Sequence, residues 1–203
     1  MILYDYLDSG NGYKIRLLLA QLGKSYRWVE LDILAQQTRT PQFLAKNPNG
    51  RIPTLELDDG TCLAESNAIL WYLAEGTPFI PADRLRRAQV LQWMFFEQYS
   101  HEPYVATPRF IVKHLPPDSP RHAELPDRLA RGRAALAVME TQLRATPFIA
   151  GSDYTLADIA LYAYTHVAGE GGHDLTPYPS LLAWLRRVAS QPRHIPITLR
   201  PSN

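Results

Sequence analysis

Three small groups of residues in this 203-residue chain have the types and spacing to do chemistry. Ile52-Pro53 stands between a glycine-containing turn and a short strand signal, Thr54 to Leu57. Proline cannot donate to a strand ladder, and X-Pro is the bond at which cis costs only about 0.5–1 kcal/mol. A cis bond there would turn the amide and carbonyl of Ile52 outward, free to pair with an extended peptide. Shortly after, Glu65-Ser66 opens a helix signal. The first amides of a helix favour an anion, and Glu65 offers a carboxylate to an ammonium. Together these suit a short, zwitterionic peptide. Ser9 and Asn11 form the third group, where the first strand signal hands over to the first helix signal. One reading is helix capping, for which both residue types are favoured. The other is a donor pair for a bound thiol. A serine hydroxyl is too weak a base to take that proton outright, but it can donate to the thiolate, and a helix N-terminus favours the anion further. A drop of roughly two units from a thiol pKa near 8.5 makes thiolate dominant at neutral pH.

These groups need a scaffold, and residues 1–75 alternate between strand and helix signals. Ile2 to Tyr6 is a short strand pattern, and Tyr13 to Leu22 has helical apolar spacing with Gly23 as a C-cap. Tyr26 to Leu31 is a second strand, and Thr40-Pro41 opens a short helix. Two more strands are joined by Asp58-Asp59-Gly60-Thr61, with Asp-Gly as the hairpin signal. The order β-α-β-α-β-β-α implies a mixed four-stranded sheet. Pro and Gly cluster in Gly76 to Asp83, and the pattern beyond is helical: Leu85 to Ile111, Asp127 to Arg144, Thr155 to Ala168 and Tyr178 to Ser190. Thr155 and Asp158 form a capping box, a structural device.

Composition removes several function classes. The 21 basic and 20 acidic residues leave a formal charge of +1, so nothing points to nucleic acid or an anionic membrane. No apolar run approaches a membrane span, and the chain starts straight into a strand without an apolar leader, so a cytoplasmic protein is expected. Cys62 is the single cysteine, which excludes an internal disulfide and a C-x-x-C pair; it reads as a small hydrophobe in a strand. The six histidines lack metal-ligand spacing, and no metal is expected.

Three stretches occur in order: LYDYLDSGNGYKIRLLLAQLG (Leu3 to Gly23), NPNGRIPTL with ESNAILWYL, and GSDYTLADIALYAY (Gly151 to Tyr164). In these the chain resembles the cytosolic glutathione transferases over nearly its whole length. Ser9-Gly10-Asn11-Gly12 is similar to a bacterial subgroup that pairs Ser or Thr with Asn. The resemblance implies an α/β plus all-α protein: a thioredoxin-like domain over 1–76, a linker over 77–84 and a helical-bundle domain over 85–203. It implies glutathione as co-substrate and a two-fold homodimer. Ser9 and Asn11 would activate the thiol. Ile52 would pair with the cysteinyl backbone, Arg51 with the glycyl carboxylate and Glu65 with the ammonium. Ser66 would hold the γ-glutamyl carboxylate through its hydroxyl and amide. Thr38 falls where the subgroup often has a glutamine contacting glutathione. Tyr99 and Tyr104, in an aromatic-rich stretch, would line the site of an apolar electrophile or a disulfide. The leading expectation is transfer of glutathione to small electrophiles. A disulfide reductase or peroxidase on the same scaffold is the alternative, and a non-catalytic binding module is the reading from another class.

Overall fold

The computed structural model describes residues 1–202, which divide into two compact units. Met1–Gly76 and the chain from Pro192 onward form the first, and Thr77–Gln191 the second.

The first unit is built on four strands: β1 (Ile2–Asp5), β2 (Arg27–Glu30), β3 (Thr54–Glu56) and β4 (Cys62–Leu63), in the order β2-β1-β3-β4. β1 runs parallel to β2 and antiparallel to β3, which pairs antiparallel with β4. Parallel pairing needs a crossover, and α1 (Gly10–Leu22) supplies it. Gly23 ends α1 in the left-handed conformation at φ 65°. Thr40 caps α2 (Pro41–Leu44) by accepting from the Phe43 amide, and α3 (Ser66–Ala74) follows the β3–β4 hairpin.

α1 has no solvent face along most of its length: Gly10 and every residue from Gly12 to Leu19 are buried. Two cations lie inside that run, Lys14 and Arg16, each 0% exposed. A buried charge needs partners. Arg16 Nε meets Asp5 Oδ2 at 3.0 Å, Nη2 donates to the Leu7 carbonyl at 2.5 Å, and Nη1 donates to the Ile197 carbonyl at 2.9 Å. Burial pushes the Asp5 carboxyl up to about 6, although the Arg16 charge opposes the rise. Gly12 leaves room for this carboxyl, since a Cβ there would stand 1.5 Å from Asp5 Oδ1.

The same guanidinium holds the C-terminal chain, and Tyr13 helps by donating to the Ile195 carbonyl at 2.6 Å. The sequence pattern places everything from 85 to 203 with the helices, whereas the chain from Pro192 onward packs with the first unit. Its buried anchors are main-chain carbonyls, which leave no mark on side-chain periodicity, and at the surface Arg200 pairs with Glu30 at 2.5 Å.

The second unit is helical: α4 (Arg84–Phe96), α5 (Glu102–His114), α6 (Leu125–Ala145), α7 (Leu156–Thr165) and α8 (Pro179–Ala189). The single long helix expected from Leu85 to Ile111 is interrupted by a π-helical turn over Glu97–His101, closed by the Glu102 amide on the Glu97 carbonyl. Pro103 accounts for it. Proline has no amide to give the carbonyl four residues back, and the ladder loosens just before it. Pro108 likewise cannot serve the Tyr104 carbonyl, which accepts from His173 Nε2 at 2.9 Å instead. A carbonyl only accepts, so the His173 proton sits on Nε2; burial holds this ring's pKa below the usual value. Gly132 admits the ring, for a Cβ there would lie 2.3 Å from His173 Cε1.

The capping box is present as expected. Asp158 Oδ2 accepts from the Thr155 amide at 2.9 Å, and Oδ1 accepts from the Ile149 amide and Trp184 Nε1, both at 2.8 Å. Full burial pushes this carboxyl up to about 6 against its donors. Among the described residues, no helix is long and apolar enough to cross a membrane.

Candidate active site

Two helix N-termini of the first unit meet. Ser9 is the N-cap of α1, extended at φ −75°, ψ 124°, with Oγ accepting from the Gly12 amide at 3.2 Å. Asn11 follows in the first turn of α1. Its Oδ1 accepts a hydrogen bond from Ser66 Oγ at 3.2 Å. Ser66 is buried at the head of α3, and its Oγ also accepts from Lys14 Nζ at 3.3 Å. Asn11 and Ser66, 55 residues apart in the chain, are thus in direct contact.

Glu65 precedes α3 with φ 65° and ψ 111°, a conformation rare for a residue with a side chain, and makes no side-chain cap bond. Such geometry costs on the order of 1–3 kcal/mol and concentrates at ligand-binding positions. Glu65 is exposed, beside the first-turn amides that a helix leaves for an outside acceptor.

The Ile52-Pro53 group is held by a buried asparagine. Asn47 Nδ2 donates to the Arg51 carbonyl at 2.8 Å and to Thr54 Oγ1 at 3.1 Å, and Thr54 Oγ1 donates to the same carbonyl at 3.2 Å. Ile52-Pro53 is cis. Ile52 is half-buried and Arg51 exposed. Thr38 is buried in a 3-10 turn, Gln37–Arg39, whose Arg39 Nη1 donates to the Asn49 carbonyl at 3.0 Å. That contact brings the Thr38 segment against Asn49–Gly50. A Cβ at Gly50 would lie 3.0 Å from the Thr38 carbonyl, and its φ of +62° suits glycine.

Other side chains are engaged elsewhere. Tyr4 donates its hydroxyl to Glu56 Oε2 at 2.7 Å, and burial raises its pKa. Cys62 is half-buried in β4, and burial raises its thiol too. Tyr99 and Tyr104 belong to the second unit. Tyr99 lies in the π turn and is 86% exposed. The Tyr104 hydroxyl accepts from Arg131 Nη1 at 3.1 Å, with the guanidinium 5.4 Å from the ring centre. Among the described residues, no group of three or more His, Cys, Asp or Glu is placed to hold a metal ion.

Lys14 and Arg16 escape a reading based on motifs. A signal for them exists in Tyr13-Lys14-Ile15-Arg16-Leu17-Leu18-Leu19: two cations inside a run too apolar to leave them a solvent face.

A mixed thioredoxin-like sheet followed by an all-helical unit, with helix N-termini converging on one point, defines a two-domain transferase class. Residues 1–75 match the family model described as glutathione S-transferase, N-terminal domain, and residues 122–187 match the C-terminal domain model. The chain belongs to the glutathione S-transferase family and is an enzyme of that family. A glutathione S-transferase from Pseudomonas fluorescens Pf-5 has a crystal structure that superposes with a TM-score of 0.93 at 56% identity, covering 97% of this chain and 98% of that one. Curated relatives include maleylacetoacetate isomerase of Rhizobium meliloti, 32% identical over 93% of this chain and 91% of that protein. The disulfide-bond oxidoreductase YfcG of Escherichia coli is 30% identical over 95% and 92%.

Proposed function

We propose that the chain conjugates glutathione to small apolar electrophiles, with the tripeptide bound entirely in the first unit. The observation that carries this reading is the Asn11–Ser66 contact, which joins a place for the thiol to a place for the γ-glutamyl head group. The head of α3, at Ser66, takes the γ-glutamyl carboxylate on its first-turn amides. Glu65 takes the ammonium. The Ile52 backbone serves as strand partner for the cysteinyl residue, beside a carbonyl pinned by Asn47. Arg51 is exposed and takes the glycyl carboxylate, and the Thr38 turn borders that end. Asn11 and Ser9 donate to the sulfur. The thiol proton leaves to water, the sulfur attacks the electrophilic carbon, a C–S bond forms, and the leaving group departs with its electron pair. Tyr99 and Tyr104 are the proposed contacts of the second substrate.

Disulfide reduction is the second reading, favoured by the YfcG relationship and by the asparagine at the head of α1. Bound thiolate would attack a disulfide sulfur, forming a mixed disulfide and expelling a thiolate, and a second glutathione would resolve it. Turnover of an electrophile panel beside a mixed-disulfide substrate separates the two. Conjugation in preference to disulfide exchange is the expected outcome, and the reverse preference would install the second reading. Glu65→Gln should weaken glutathione about tenfold, because a charge-assisted hydrogen bond is worth about 1.5–3 kcal/mol. Calorimetry giving wild-type affinity would remove Glu65 from the site.

The working form is proposed to be a two-fold homodimer in a reducing cytoplasm, acting in detoxification. Its support is apolar surface on the second unit. Phe95 is 69% exposed, and a groove of about 400 Å³ is lined by Trp93, Phe96 and Val138, with Gln92, Thr141 and Gln142 at its polar edge. Light scattering should report twice the 23.0 kDa chain mass, and a monomer at micromolar concentration would contradict it.

A further inference from the structure

Lys14 is a lysine with no exposed surface, and the conjugation chemistry above makes no use of it. Its ammonium, which only donates, gives a hydrogen bond to Ser66 Oγ at 3.3 Å. The Ser66 hydroxyl in turn donates to Asn11 Oδ1 at 3.2 Å. Each bond dictates the polarity of the next. A hydroxyl that accepts from an ammonium is a stronger donor, and bonds in a chain polarise one another in a low-dielectric interior. With Oδ1 committed to Ser66, the amide of Asn11 has only its Nδ2 hydrogens to turn toward a sulfur. Those hydrogens are what a thiolate needs. Were the amide reversed, the oxygen would face the sulfur and favour the protonated thiol.

We propose that Lys14, Ser66 and Asn11 form a polarised hydrogen-bond relay in which Lys14 and Ser66 are positioning residues, orienting Asn11 to stabilise the glutathione thiolate. The relay rests on the glutathione reading above and adds a division of labour to it. A hydroxyl has one hydrogen, and that of Ser66 goes to Asn11, so of the hydroxyl and amide expected to hold the γ-glutamyl carboxylate the amide is the donor left to it. One residue then serves both the γ-glutamyl head group and the sulfur of the cysteinyl residue, and occupancy at the head group is coupled to ionisation at the sulfur. Lys14 acts through two intermediates, Ser66 and Asn11, so its removal should be read at the thiol rather than in the affinity alone.

The test follows the ultraviolet absorbance of enzyme-bound thiolate against pH, with calorimetric affinity measured alongside. Lys14→Met should raise the bound-thiol pKa by about one unit and slow turnover most below neutral pH. Lys14→Arg, which keeps a cationic donor, should restore most of that shift. If Lys14→Met does not fold, Lys14→Gln carries the same expectation. The decisive arm is a double-mutant cycle. In an Asn11→Ala background, Lys14→Met should add little further shift, because the relay has lost its last member. An equal shift in both backgrounds would mean that Lys14 acts by direct field, and the relay would be wrong. No shift in the wild-type background would overturn it as well. The underlying reading fails differently: wild-type protein that shows no saturable glutathione binding would sink both, whereas binding without Lys14-dependent ionisation sinks the relay alone.

Discussion

Replacing Arg16 by Met is expected to cost about 3–5 kcal/mol of folding stability at neutral pH, because it strips the partner from a buried charge. Asp5 and Arg16 are both fully buried, so no water can take over the carboxylate. The Leu7 and Ile197 carbonyls lose their guanidinium donor in the same step. The loss should depend on pH in a definite direction. Asp5 has a folded-state pKa of about 6, above its ordinary value of 3.8, so the native state holds the proton more tightly than the unfolded chain. Stability from this group is therefore full below about pH 4 and falls as pH rises toward 6. In wild type the fall stops near 6, where the carboxylate ionises beside Arg16. Without Arg16 the carboxyl stays protonated to higher pH, and the fall continues. Urea denaturation should thus show a larger wild-type-to-variant gap at pH 8 than at pH 5. An equal gap at both would mean that Asp5 does not depend on the Arg16 charge.

Asn11→Ala should have the largest effect on catalysis: a bound-thiol pKa raised by a unit or more, and turnover down about tenfold near pH 6.5. The two rates should converge at alkaline pH, where thiolate forms without help. Ser9→Ala should shift the titration less. Its oxygen already accepts from the Gly12 amide, so much of its loss should appear as about 1 kcal/mol of stability, the usual worth of an N-cap. Rate against pH for the two variants, each with a denaturation curve, checks both expectations. A titration moved by Ser9→Ala alone would reverse the ranking. If neither moves it, the activating group lies elsewhere.

The thioredoxin-like half was legible because its signals are local. Thr40-Pro41 does cap a helix, Gly60 does take a positive φ in the hairpin, and Gly23 does end α1. The order of elements followed from alternating patterns alone. The Ser9–Asn11 and Glu65–Ser66 pairs could be found by type, but their mutual contact could not, since it spans 55 residues. What escaped was long-range. The Arg16 clamp binds carbonyls, and Arg200 pairs with Glu30 across 170 residues, so the return of the chain from Pro192 onward to the first unit had no local signature. The π turn is silent in the sequence for another reason. Pro103 was visible, but an apolar period of 3.6 survives one irregular turn, and the pattern read straight through it.

The deciding measurement is a crystal structure of the wild-type chain grown with glutathione. The tripeptide is expected on the first unit, with its γ-glutamyl carboxylate on the Ser66 amide, its cysteinyl backbone paired with Ile52, and its sulfur within hydrogen-bonding reach of Asn11 Nδ2. Glutathione bound away from α3, or bound there with its sulfur turned from Asn11, would contradict it.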